Sequence, residues 1–231
     1  MALYAIGDLH LSLDGSKPMD IFGGSWVGYV EKIKKNLSAL GPDDTLVLCG
    51  DTSWGIKLEQ SEPDFALIHG FPGRKLLLKG NHDYWWTTKA KMDSFFYEHG
   101  LSSLNILHNN CYVYEDAALC GTRGWFYEED DGKGSDKIYK RELARLELSL
   151  KEARKTGCAR IFCFLHYPPL YGQYKCPEIL QMLSDYGVSQ CYYGHLHGKS
   201  QAAAFGGIYE NVRYTLVSGD ALDFNPIKIL N

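Results

Sequence analysis

Lys75-Leu76-Leu77-Leu78-Lys79-Gly80-Asn81-His82-Asp83 joins a short aliphatic run to a glycine turn and three side chains that can bind metal or carry protons. The apolar run is too short for a helix and reads as a buried strand from Lys75 to Leu78. The pattern recurs along the chain. Leu3 to Ile6 runs into Gly7-Asp8-Leu9-His10, and Thr45 to Cys49 into Gly50-Asp51. Arg160 to Leu165 runs into His166, and Val188 to Tyr193 into Gly194-His195-Leu196-His197. Five polar clusters thus follow the C-terminal ends of strands, the edge where α/β sheets build their sites.

Helical stepping fills some of the intervals. Trp26, Val30, Ile33, Leu37 and Leu40 predict a helix with Ser25 as its N-cap and Gly41-Pro42 as its stop. Tyr139, Leu143, Leu146, Leu150 and Ala153 predict a second, ended by Gly157. Cys176-Pro177 opens a shorter one that Gly187 closes. Asn105 to Thr122 reads as a meander of short strands, and Tyr209 to Leu230 is also strand-rich. Alternating strands and helices define an α/β class. Without repeats or long linkers, residues 1–231 read as a single domain.

Bulk properties narrow the function. The 231 residues carry a net charge of −4 with no basic block, which speaks against long nucleic acid as the partner. Small anionic substrates need only a local positive site. The seven cysteines are scattered without CxxC pairs, so neither a disulfide framework nor a zinc finger is expected. The first motif begins by Gly7, leaving no room for a removable leader, and no stretch is apolar enough to span a bilayer. A cytoplasmic protein is expected.

The residue types agree on a metal chemistry. Asp8 and His10 are two apart on an extended segment and can grip one ion from the same side; His195 and His197 repeat that spacing. Imidazole with carboxylate and no thiolate suits manganese, iron, cobalt, nickel or zinc better than calcium. Asp8, His10, Asp51, His166, His195, His197 and Asn81 are more ligands than one ion needs, and two ions sharing a carboxylate account for the surplus.

Taken together, the series Asp-x-His, Gly-Asp, Gly-Asn-His-Asp, His and Gly-His-x-His resembles the calcineurin-like metallophosphoesterase superfamily. The match runs from Gly7 to His197 with no motif missing. The resemblance implies a metallophosphoesterase-type β-sandwich of two mixed sheets flanked by helices. It also implies that Asp8, His10 and His197 hold one ion and that Asn81, His166 and His195 hold the second, with Asp51 bridging. Manganese is the first choice of ion. His82 would act beside the ions, oriented by Asp83. Two such ions, about 3.5–4 Å apart, lower the pKa of a shared water enough to give hydroxide for in-line attack at phosphorus.

The chain also departs from parts of that superfamily. Thr52-Ser53-Trp54-Gly55 follows Gly50-Asp51 where protein phosphatases carry Val-Asp-Arg-Gly, so the arginine that grips a monoester is missing. Asp83 stands where those enzymes have Glu. A small-molecule phosphodiesterase or phosphatase is expected, with a catalytically inactive scaffold or a nuclease as alternatives. Arg123, in Thr122-Arg123-Gly124-Trp125, is the candidate phosphate-holding cation. Trp54, Tyr84, Trp85, Trp86, Tyr167, Tyr171 and Tyr174 crowd the motifs as base-stacking or packing groups. Asp14 to Gly24 and Glu128 to Ser135 are candidate lids. Oligomeric state is not legible.

Overall fold

The structure, a computed structural model, describes residues 1–125 and 135–231. Two mixed sheets form its centre. In the first, β1 (Leu3–Ile6), β2 (Thr45–Leu48), β3 (Arg74–Leu77) and β4 (Leu104–Ile106) run parallel in sequence order, and β13 (Ile227–Leu230) lies antiparallel outside β1. In the second, β6 (Ala117–Thr122), β7 (Arg160–Leu165), β10 (Gln190–Tyr193) and β12 (Val212–Leu216) are parallel neighbours. Antiparallel strands β5 (Cys111–Tyr114) and β11 (Gly207–Tyr209) close its two sides. A small hairpin, β8 (Leu170–Tyr171) with β9 (Tyr174–Lys175), stands apart.

Side chains alternate across each strand, so each sheet buries both faces. Leu3, Ala5, Val47, Cys49 and Leu76 share one core with Leu119, Phe162, Phe164 and Tyr192 of the other sheet. Phe164 and Tyr192 stack there at 5.3 Å. The opposite face of the first sheet packs Ile6, Leu46, Leu48 and Leu77 against α1 (Tyr29–Leu37), α2 (Leu58–Gly70) and α3 (Lys89–Glu98). Cys120, Cys163, Leu165, Cys191 and Tyr193 pack against α4 (Ser135–Lys155) and α5 (Pro177–Asp185) on the other side. The result is the expected sandwich of mixed sheets flanked by helices.

Two local expectations are corrected. The first helix begins at Tyr29 rather than after Ser25, because Gly28 takes a left-handed φ of 64° and caps it; Trp26 instead ends a 3-10 turn, Gly24–Trp26. The Asn105–Thr122 run is not one meander. Its first strand, β4, pairs with β3 in the first sheet, and the chain then crosses to build the β5–β6 hairpin of the second. The Asp14–Gly24 stretch is a tight polar turn up to Lys17, with the Asp14 carboxylate accepting from Ser12 and Ser16, followed by a 3-10 turn, Met19–Phe22. The Glu128–Ser135 candidate lid lies outside the described residues except for its last, which opens α4. Among the described residues no helix is long and apolar enough to cross a membrane.

Candidate metal centre

The C-terminal ends of β1, β2 and β3 meet those of β7, β10 and β12 along one edge of the sandwich. Gly7 bridges to Ser218, and the amides of Asp8 and His10 donate to the carbonyls of Gly50 and Asp51 at 2.9 Å, which locks the first two loops together. Asp8, His10, Asp51 and His195 all take left-handed backbone, with φ of 58°, 45°, 50° and 73°. Such conformations cost about 1–3 kcal/mol each outside glycine, although Asp and His tolerate them better than most residues. Four of the seven expected ligands are held this way, which aims their side chains inward. The motif glycines have a steric reason too. A Cβ at Gly80 would collide with Asp51 Oδ1, and one at Gly194 with Asp8 Oδ2.

The seven expected ligands converge. Asp8, His10 and His197 present donor atoms within 4.8 Å of one another, as do Asp8, Asp51 and His166. Asp8 belongs to both groups, and Asp51 also sits between them: its Oδ2 is 3.6 Å from His10 Nε2 and 3.5 Å from His166 Nε2. His166 Nδ1 lies 3.1 Å from the carbonyl oxygen of Cys49, which fixes its proton there and leaves a lone pair on Nε2. That nitrogen faces Asn81 Oδ1 at 2.6 Å, and His195 Nδ1 reaches the same oxygen at 3.0 Å. On the other side His197 Nε2 faces His10 Nε2 at 3.3 Å and Asp8 Oδ1 at 3.5 Å. Lone pairs converging at these distances are what a cation would relieve, so the donor set fits transition-metal ions.

Charge in the metal-free site points the same way. Burial raises Asp51 well above the usual carboxylate range, and its neighbours Asp83 and Asp8 add to that. Burial would also raise Asp8, but His197, His166 and His10 outweigh it and hold the group well below its ordinary value. Burial pulls His166 down to about 3 and His195 to about 4. His197 behaves oppositely: burial lowers it, yet Asp8 and Asp220 together push it up to about 10.

Asp220 was not among the expected residues. Its Oδ1 lies 2.9 Å from His197 Nδ1 and its Oδ2 accepts from the Gly198 amide at 3.1 Å, leaving His197 Nε2 for the site. A signal existed, since Leu216-Val217-Ser218-Gly219-Asp220 is another strand running into Gly-Asp.

His82 flanks the ligands. Its amide donates to Asp51 Oδ1 at 2.7 Å, its ring lies 4.4 Å from that of Trp54, and its Nδ1 is 3.3 Å from the Tyr84 hydroxyl. The expected pairing with Asp83 is corrected by the structure. Asp83 is buried and accepts from the amides of Gly80, Asp51 and Thr52 at 2.7 to 2.9 Å, and from Trp85 Nε1 at 3.0 Å. It therefore clamps the β2 and β3 loops together, and acts on His82 only through the backbone. Arg123 also has other partners. Its guanidinium is 3.5 Å from the buried Glu142 and 5.7 Å from the Tyr167 ring centre, while its carbonyl accepts the amides of His166 and Tyr167. A cavity of about 640 Å³ opens over the ligands, walled by His10, Asp51, His82, His195, His197 and Asp220 on one side. Arg123 does not line it.

Fold and site together define a phosphoester-hydrolase architecture. Residues 1–199 match the calcineurin-like phosphoesterase family, and the chain belongs to it. Among curated proteins none matches the chain in sequence. Solved structures share the fold at low identity. The phosphopantetheinyl hydrolase of Mycobacterium tuberculosis is 17% identical with a TM-score of 0.59, covering 94% of this chain and 88% of its own. A Thermus thermophilus protein is 12% identical with a TM-score of 0.55, covering 99% and 97%. A protein of unknown function from Aquifex aeolicus is 14% identical with a TM-score of 0.51, covering 98% and 95%.

Proposed function

We propose that this protein is a dinuclear metal-dependent hydrolase of small phosphodiesters. Asp8, His10 and His197 would hold one ion and Asn81, His166 and His195 the other, with Asp51 between them and manganese the ion to try first. When bound, the ions supply Lewis acidity at phosphorus and activate water for in-line attack. The carrying observation is the overlap of two donor groups, Asp8-His10-His197 and the fully buried Asp8-Asp51-His166, under one cavity.

The protein's own residues do the rest. Burial, aided by His197, lowers the pKa of His82, and its ring stands in the cavity wall, where it would donate a hydrogen bond to the departing oxygen. Trp54 fixes the plane of that ring from one side. Asp220 holds His197 in the tautomer that leaves Nε2 open. Among the described residues lining the cavity none is Lys or Arg, so a diester with its single charge fits better than a doubly charged monoester. A cytoplasmic location agrees with the seven cysteines, which are all free.

The test is turnover of an aryl phosphodiester and its monoester by the manganese-loaded protein and by His82→Ala. The diester should be preferred, and His82→Ala should slow turnover about 10²–10⁴-fold with metal content unchanged. No hydrolysis of either ester by protein that holds its metal would sink the proposal.

A further inference from the structure

The cavity extends away from the candidate ligands along a largely apolar wall. Met19, Phe22, Gly23, Gly24 and Trp26 come from one segment after β1, and Trp54 faces them from the β2 loop. Met19 and Trp26 are 7% and 6% exposed, whereas Phe22 is 67% exposed at the mouth. The segment turns at positive-φ glycines 23 and 24, ends before a third at Gly28, and is pinned where Asp20 Oδ1 accepts the Gly28 amide at 2.8 Å. Lys17 lies 5.2 Å from the Trp54 ring centre, on the preceding turn and not in the wall. A wall of aromatic and thioether groups with, among the described residues, no cation in the lining selects a particular ligand.

We infer that the Met19–Trp26 wall binds an uncharged apolar substituent of the substrate, making the preferred substrate an amphipathic phosphodiester with one alkyl or aryl ester arm. Sugar phosphates and nucleoside polyphosphates, which bring further hydroxyls or charges, do not match this wall. The inference rests on the hydrolase reading above for the position of the phosphate, and its test separates the two. Phe22 is the specificity-determining residue that can be removed at least cost to the fold, because most of its ring is already in solvent.

The experiment is calorimetric binding of the methyl, butyl and octyl monoesters of methylphosphonic acid to manganese-loaded protein, which needs no turnover. Affinity should rise roughly fourfold per methylene from methyl to butyl as hydrocarbon is buried. Phe22→Ser should flatten that series. Ile21→Ser, at a neighbouring exposed position outside the lining, should leave it steep. A flat series in the unaltered protein, or one equally steep in Phe22→Ser, overturns the inference. If the series is steep but no diester is hydrolysed, the wall stands and the hydrolase reading falls. Hydrolysis with a flat series gives the reverse.

Discussion

His197 and Asp220 illustrate how single atoms set the behaviour of the site. With its Nδ1 against Asp220, the imidazole can offer only Nε2, so removing that acceptor should loosen both ring and tautomer. Asp220→Ala is expected to weaken metal binding about 10–100-fold while the protein stays folded, as read by competitive metal titration. The raised His197 pKa, about 10, adds a pH dependence with a definite sign. In the metal-free protein this ring is protonated at neutral pH, and an ion must displace that proton. Metal uptake in weak buffer at pH 7 should release protons, and affinity should climb with pH up to about 10; uptake without proton release would contradict this. Residue-level legibility was uneven. The candidate ligands are legible as strand-end Gly-Asp, Asn-His-Asp and Gly-His-x-His, but hydrogen-bond partners are not: Asp83 turns to backbone amides and Arg123 to Glu142 for reasons that lie in neighbouring loops.

Among the elements, α2 and α3 were hidden from periodicity. In α2 the buried face includes Ser61 and Asp64 as well as Phe65 and Ile68, because Asp64 accepts from Ser53 Oγ at 2.6 Å and from the Leu13 amide at 2.9 Å. A polar residue on the inward stripe interrupts the apolar pattern that would reveal the helix. The departure of β4 from β5 was hidden as well, since short strands do not encode which sheet they join. At the C-terminal end of α2, Lys75 from β3 is fully buried with its ammonium directed to the Phe71 carbonyl. Burial pushes its pKa down to about 8. The folded chain therefore gives up this proton more readily than the unfolded chain, whose value is near 10.5, so the contribution to stability grows as pH rises between those values. Compared with Lys75→Met, the unaltered protein should gain in urea midpoint from pH 8 to 10.5 and run parallel to the variant below pH 7. Parallel curves throughout would refute the assignment.

Among the described residues the two large sheets share one core, and the candidate ligands are divided between them. Asp8, His10, Asp51 and Asn81 come from the first sheet, while His166, His195 and His197 come from the second. Bound ions would therefore tie the layers together, and residues 1–231 should unfold as one cooperative unit. Calorimetry should give a single transition whose Tm falls on chelation, with the fall much smaller in Asp51→Asn. Two separate transitions would contradict the single-domain reading. The central claim, that paired ions sit at this seam with Asp51 between them, is tested most directly by elemental analysis of manganese-saturated protein freed of loose metal. About two ions per chain are predicted for the unaltered protein, and fewer than one for Asp51→Asn. A single ion per chain, or a content that Asp51→Asn leaves unchanged, would contradict it.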